Sequence, residues 1–122
     1  MAGEWSDKLP IYLQIRDRLI TSILEGEIAE GDAVPSVRNF AAEFQINPIT
    51  VSKGYQELVD EGLVEKRRGL GMFVAEGAQA RLRQRERERF LSDEWPEVLA
   101  RAQRLGLDVR DLLRRSADDE EK

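Results

Sequence analysis

The 122-residue sequence predicts an α+β fold that is mostly helical, with a single small hairpin. Three features point there. Two short amphipathic segments, Val37 to Phe44 and Pro48 to about Asp60, each follow a capping residue. A strand–turn–strand pattern runs from Leu63 to Ala75 around the basic turn Lys66-Arg67-Arg68-Gly69-Leu70-Gly71. Beyond Ala75 the chain becomes strongly charged and keeps a helical period.

Each element follows from local chemistry. Pro10 suits the first turn of a helix, where its missing N–H costs nothing. Ile11, Ile15, Leu19 and Ile23 recur at helical spacing, with Tyr12 and Leu24 alongside, until Gly26 ends the run. Glu27 to Val34 is a connection with a turn at Gly31-Asp32. Ser36 caps the next helix, whose Phe40, Ala41 and Phe44 face inward. Gln45-Ile46 makes a turn, Asn47 caps the following helix and Pro48 takes its first position. Val51, Tyr55, Leu58 and Val59 form the core stripe of that helix, and Gly62 ends it. Strands Leu63 to Arg67 and Met72 to Ala75 flank the glycine turn, with Leu63 and Phe73 burying the hairpin. Further on, Ser92 is the expected cap of a helix holding Trp95, Val98, Leu99, Ala102 and Leu105, broken at Gly106. Asp108 caps a last short helix with Val109, Leu112 and Leu113.

Composition removes several functions. There is no cysteine and no histidine, so disulfides, thiolate chemistry and the commonest metal ligand and acid–base group are absent. With no phosphate-cradling glycine loop either, an enzyme is not expected, and no cofactor or metal is expected. No apolar run approaches the ~20 residues of a membrane helix. The polar, acidic start from Met1 to Lys8 has no secretory core, so a cytoplasmic protein is expected.

Two short helices followed by a tight basic hairpin are the parts of a winged helix-turn-helix. In that arrangement the second helix enters a DNA major groove, and the hairpin reaches the neighbouring backbone or minor groove. A net charge of −5 weighs against nucleic acid, and the part up to Ala75 holds eight Lys+Arg against twelve Asp+Glu. Distribution matters more than total charge. Arg38, Lys53, Lys66, Arg67 and Arg68 fall on the helix pair and the hairpin that would face DNA, while Glu25, Glu27, Glu30 and Asp32 fall on a different connection. The hydroxyls of Thr50 and Ser52 suit phosphates or bases, or serve as ordinary helix-end and surface groups. Lys53 suits a phosphate or a guanine edge, or is simply solvated. Gly69 and Gly71 make a tight hairpin whose backbone can enter a minor groove, with Arg68 beside them and Lys66 and Arg67 on phosphates. The run Arg81, Arg83, Arg85, Arg87, Arg89 is either a solvated helix face or a lining for DNA next to the wing.

The motif order resembles the DNA-binding domain of the GntR family of bacterial transcription regulators. Leu9 to Val74 carry the resemblance, in P-I-Y-L-Q-I, I-L-E-G-E-I, G-D-A-V-P-S-V-R, T-V-S-K-G-Y, L-V-D-E-G-L-V and G-L-G-M-F-V. It implies a DNA contact for Arg38. Larger members often carry arginine at the positions of Pro48 and Ser52, so readout here is expected to lean on Asn47, Thr50, Ser52, Lys53 and the wing. The short extension with W-P-E-V-L-A-R-A-Q-R-L-G-L is similar to the small YtrA-type subfamily, in which it serves dimerisation.

The expected organisation is therefore a winged domain over residues 1–75, a helical dimerisation extension over 76–116 and a disordered acidic tail over 117–122. Phe90, Trp95, Val98, Leu99, Leu105, Leu112 and Leu113 form an apolar set too large for an isolated short helix, either folded back in a monomer or buried against a twin. The dimer is preferred, because paired winged domains match palindromic DNA. The expected function is a homodimeric regulator that binds an inverted-repeat operator in double-stranded DNA. Repression needs only promoter occupancy and is preferred over activation. The alternative is a protein-interaction module that has lost DNA binding. A small-molecule effector is left open; it would have to sit between the C-terminal helices or at the dimer interface.

Overall fold

The computed structural model describes residues 5–121. The chain divides into two compact units, one up to Arg83 and one from Gln84. In the first unit the elements are α1 (Ile11–Leu24), α2 (Val37–Phe44), α3 (Pro48–Asp60), β1 (Val64–Arg67) and β2 (Gly71–Val74). Helix α4 (Ala78–Arg89) starts in the first unit and carries the chain into the second.

The caps act as their chemistry dictates. Ser36 Oγ accepts the Asn39 N–H at 3.0 Å, and Asn47 Oδ1 accepts the Ile49 N–H at 2.8 Å. Between them Gln45 turns the chain through a left-handed conformation with φ of 54°. The core then forms from one stripe of each helix: Ile15, Leu19 and Ile23 of α1, Phe40 and Ala41 of α2, Val51, Tyr55 and Leu58 of α3. Phe44 and Val59 are only half-buried.

Gly54 decides how closely α1 and α3 pack. It is buried in the middle of α3, and an added Cβ there would lie 2.7 Å from the Tyr12 carbonyl oxygen and 3.1 Å from Ile15 Cβ. Tyr55, next along, donates its hydroxyl to the Pro35 carbonyl at 2.6 Å and ties α3 to the connection before α2. Burial raises its pKa above the ordinary phenol value, so it remains a neutral donor.

The hairpin pairs Val64 with Val74 and Arg67 with Gly71 in antiparallel register. The connection before α2 adds a short third segment. Val34 N–H meets the Met72 carbonyl at 2.9 Å, Val74 N–H meets Asp32 at 2.9 Å, and Ala33 bridges Phe73. Leu63, Val64, Val74 and Ala75 bury this small sheet against the helices, completing a winged helix-turn-helix. Phe73 is half-buried beneath the Arg67 guanidinium, 4.4 Å from its ring centre, and Leu63 is the deeper anchor.

Several expectations change. The boundary between units lies within α4 rather than at Ala75. Ala78 and Leu82 are buried in the winged core, Arg81 donates to the Gly62 carbonyl at 2.6 Å, and Gln79 donates to the Leu24 carbonyl at 3.2 Å. The first turns of α4 thus belong to the winged unit, and Arg81 acts as a clamp on its backbone. The N-terminal segment is also less inert than its polarity suggests. Trp5 packs edge-on against Phe44 with ring centres 5.8 Å apart, and Gln14 fastens the segment through Ser6 and the Leu9 carbonyl.

The second unit contains α5 (Trp95–Arg104) and α6 (Val109–Glu121). Ser92 does not start a helix. It lies in a π-helical turn, Phe90–Glu94, in which the Trp95 N–H reaches back to Phe90. Pro96 explains the widening: it has no N–H to offer Ser92, and its ring disfavours a regular turn there. Asp108 does cap α6, accepting the Arg110 N–H at 2.8 Å. Helix α6 extends to Glu121, so the stretch from Ala117 expected to be disordered is helical up to that residue. The Ala and Glu residues there are good helix formers that prolong a helix already started at Asp108. Lys122 lies outside the described residues.

Gly54→Ala tests the packing constraint. Alanine is the better helix former by about 1 kcal/mol, yet the crowding against Tyr12 and Ile15 is expected to lower stability by about 1–3 kcal/mol. Equilibrium urea unfolding of the two proteins checks the sign.

Candidate nucleic-acid interface

With Val51, Gly54, Tyr55 and Leu58 of α3 turned into the core, the opposite stripe is exposed. It consists of Ile49, Ser52, Lys53, Gln56 and Asp60, spaced at helical intervals along one face. Thr50 is half-buried, at the edge of this stripe. The first turn carries no charge. Pro48 has no N–H, the Asn47 side-chain Oδ1 is engaged in capping, and the next side chain is Ile49.

Arg38, in the first turn of α2, is exposed and has no hydrogen bond or ion pair among the described residues. Together with Val37, Ala41, Ala42, Ile46 and Pro48 it lines a shallow cleft between α2 and the start of α3. The fold thus brings Arg38 beside the beginning of α3, although the two are far from adjacent in sequence.

The other cations differ in how they are held. Lys53 places its ammonium 4.3 Å from the Tyr12 ring centre, a cation–π contact that anchors it toward α1. Lys66 donates to Gln56 Oε1 at 3.4 Å, and Gln56 in turn donates to Asp60 Oδ1 at 2.9 Å. This chain links the wing strand to α3. Arg67 covers the Phe73 ring and lies 3.9 Å from Glu65. Arg68, at the tip, has no such partner among the described residues.

The tip itself is a tight turn closed by the Leu70 N–H on the Arg67 carbonyl at 2.9 Å. Gly69 and Gly71 have φ of 76° and 116°, with open space around both. Those conformations favour glycine, and the missing side chains leave the backbone open to a close approach. Leu70 between them is 73% exposed.

Two members of this surface escaped the sequence reading. Gln56 has no charge or motif to mark it; its helical offset from Ile49 and Ser52 was the available signal. Ile49 reads as one more apolar residue in an amphipathic helix, yet it is 78% exposed. In the second unit, Phe90, Val98, Leu105 and Leu113 are exposed, whereas Trp95, Leu99 and Leu112 are half-buried. Among the described residues no cluster of acidic groups suits a metal ion, and no helix is long and apolar enough to cross a membrane.

This geometry has counterparts in known proteins. The chain is 40% identical over 79 residues to the HTH-type transcriptional regulator YhcF of Bacillus subtilis, a match covering 65% of each chain. It is 44% identical over 73 residues to the HTH-type transcriptional repressor YtrA of the same organism, covering 60% of this chain and 56% of that one. It therefore spans less than two thirds of either relative's length. A transcriptional regulator from Oenococcus oeni superposes with a TM-score of 0.73 at 30% identity, covering 93% of each chain. The DNA-binding domain of AraR, in complex with an operator, superposes with a TM-score of 0.55 at 28% identity, covering 58% of this chain and 86% of that one. Residues 11–74 match the family of bacterial regulatory proteins called the gntR family. From α1 to the end of the wing, and so over more than half its length, the chain belongs to the GntR family of transcription regulators.

Proposed function

We propose that this protein is a cytoplasmic transcriptional repressor that binds an inverted-repeat operator as a homodimer. The observation that carries the reading is the exposed stripe of α3 beside a basic, glycine-tipped wing on the same unit. Helix α3 has the length and exposure to enter a major groove, and the wing offers Arg68 and an open backbone to the adjacent strand. The name of the relative YtrA as a repressor and the AraR domain's complex with an operator support the same reading.

Homodimerisation rests on the second unit. Val98 of α5, Leu105 and Leu107 in the connection, and Leu113 of α6 are exposed, apolar surface that gains by being covered. A second copy would cover that face and set two winged units on two half-sites. Each phosphate met by a lysine or arginine releases counterions, so binding is expected to weaken as salt rises.

Arg38→Ala is expected to weaken operator binding by about 1–3 kcal/mol without loss of helix content. Fluorescence anisotropy on a duplex selected by the protein from a random pool measures this, and unchanged affinity removes Arg38 from the interface. Replacing Lys66, Arg67 and Arg68 together by alanine is expected to lower the slope of log K against log salt by roughly one unit per lost phosphate contact. A wild-type slope would make the wing purely structural. Finally, Leu105→Glu combined with Leu113→Glu is expected to turn a dimer into a folded monomer in sedimentation equilibrium, because both side chains are largely solvent-exposed within one copy.

A further inference from the structure

Ile49 is the most exposed of the large apolar side chains identified at the surface, at 78%. It sits in the first turn of α3, on the same face as Ser52, Lys53 and Gln56. Its neighbours give that turn an apolar character: Pro48 lacks an N–H, and the side-chain Oδ1 of Asn47 accepts the Ile49 N–H. Pro48 also continues into the cleft formed with Val37, Ala41, Ala42 and Ile46. No ion pair or hydrogen bond draws a charged group over Ile49 among the described residues. A β-branched side chain held on a helix is rigid at χ1, so it presents a fixed apolar knob.

We propose that Ile49 packs against the C5-methyl group of a thymine in the major groove and makes the operator require thymine at the base facing the start of α3. This deepens the DNA-binding reading above and rests on it. In a major groove the thymine methyl is the apolar feature that distinguishes a base edge, and aliphatic side chains recognise it by contact alone. The polar edges of guanine, adenine and cytosine offer Ile49 no partner, and burying them beneath it would leave their donors or acceptors unsatisfied. Selectivity therefore comes from both the attraction to the methyl and the penalty on the alternatives. Arg38, lining the cleft with Pro48, supplies the nearby charge that holds the phosphate backbone without reading it.

The test begins with the full chain and a duplex that it selects from a random pool. Each thymine of the selected site is then replaced singly by uracil, which removes the methyl and keeps the pairing edge. At one thymine in each half-site, uracil is expected to weaken wild-type binding by about fourfold, the equivalent of about 0.8 kcal/mol for one buried methyl. Ile49→Ala is expected to bind the thymine and uracil duplexes alike, while losing affinity for the thymine form. Equal wild-type affinity for every uracil duplex overturns the inference, as does an unchanged thymine-to-uracil ratio in Ile49→Ala. Enrichment of no sequence at all overturns the DNA-binding reading and this inference with it, a result distinct from either of the others. Because Ile49 is outside the core, circular dichroism of Ile49→Ala is expected to match the wild type.

Discussion

Helices α1 and α3 meet at Gly54 with no room for a side-chain carbon, and the winged unit is organised around that contact. A Cβ at this position would sit 2.7 Å from the Tyr12 carbonyl, so the two backbones are as close as helices allow. Close approach turns Val51, Tyr55 and Leu58 fully into the core and thereby fixes the rotation of α3 about its own axis. The exposed stripe from Ile49 to Asp60 is the necessary complement of that rotation. Tyr55 adds the second restraint. Its hydrogen bond to Pro35 sets where the connection ends and α2 begins, and so where Arg38 stands relative to α3.

The wing is positioned by backbone pairing on one side and by a polar relay on the other. The connection from Asp32 to Val34 hydrogen-bonds to β2, and Lys66 reaches α3 through Gln56. Both attachments end before the tip. Arg68, Gly69, Leu70 and Gly71 project beyond them, with positive φ at the two glycines and no partner for the arginine among the described residues. Such a tip is held in place at its root and left open at its end, as suits a surface that must meet a second molecule. Lys53 and Arg67, in contrast, already rest on aromatic rings. Any contact they make elsewhere competes with those cation–π interactions, each on the order of 0.5–1 kcal/mol at exposed sites. Arg38 and Arg68 carry no such cost.

The second unit obeys a different logic. Its helices bury little within themselves: among the described residues Ala102 is fully buried, Leu99, Val109 and Leu112 are half-buried, and Val98 and Leu113 are exposed. The π-helical turn before Pro96 keeps the chain helical through a residue that cannot continue a regular ladder. Phe90 and Trp95, 6.4 Å apart between ring centres, flank that turn. Exposed apolar side chains on a short helical segment gain stability when something covers them, which is the physical basis for the proposal of a homodimer.

Much of this was legible in the residues themselves. Ser36, Asn47-Pro48 and Asp108 mark helix starts because capping is satisfied within a few residues of chain. The hairpin follows from glycines whose φ values other residues rarely adopt. The spacing of these signals also carries the GntR resemblance, and the family match confirms it over residues 11–74. Tertiary structure decided what depends on partners distant in sequence. It drew the start of α4 into the winged core through Leu82 and Arg81, where composition alone placed a boundary at Ala75. It stacked Lys53 on Tyr12, recruited Gln56 between helix and wing, and left Ile49 outside. Local propensity sees only a few neighbours along the chain. Whether an isoleucine is core or surface, or a lysine free or stacked, is settled by the rotation of its helix against another, and here Gly54 sets that rotation.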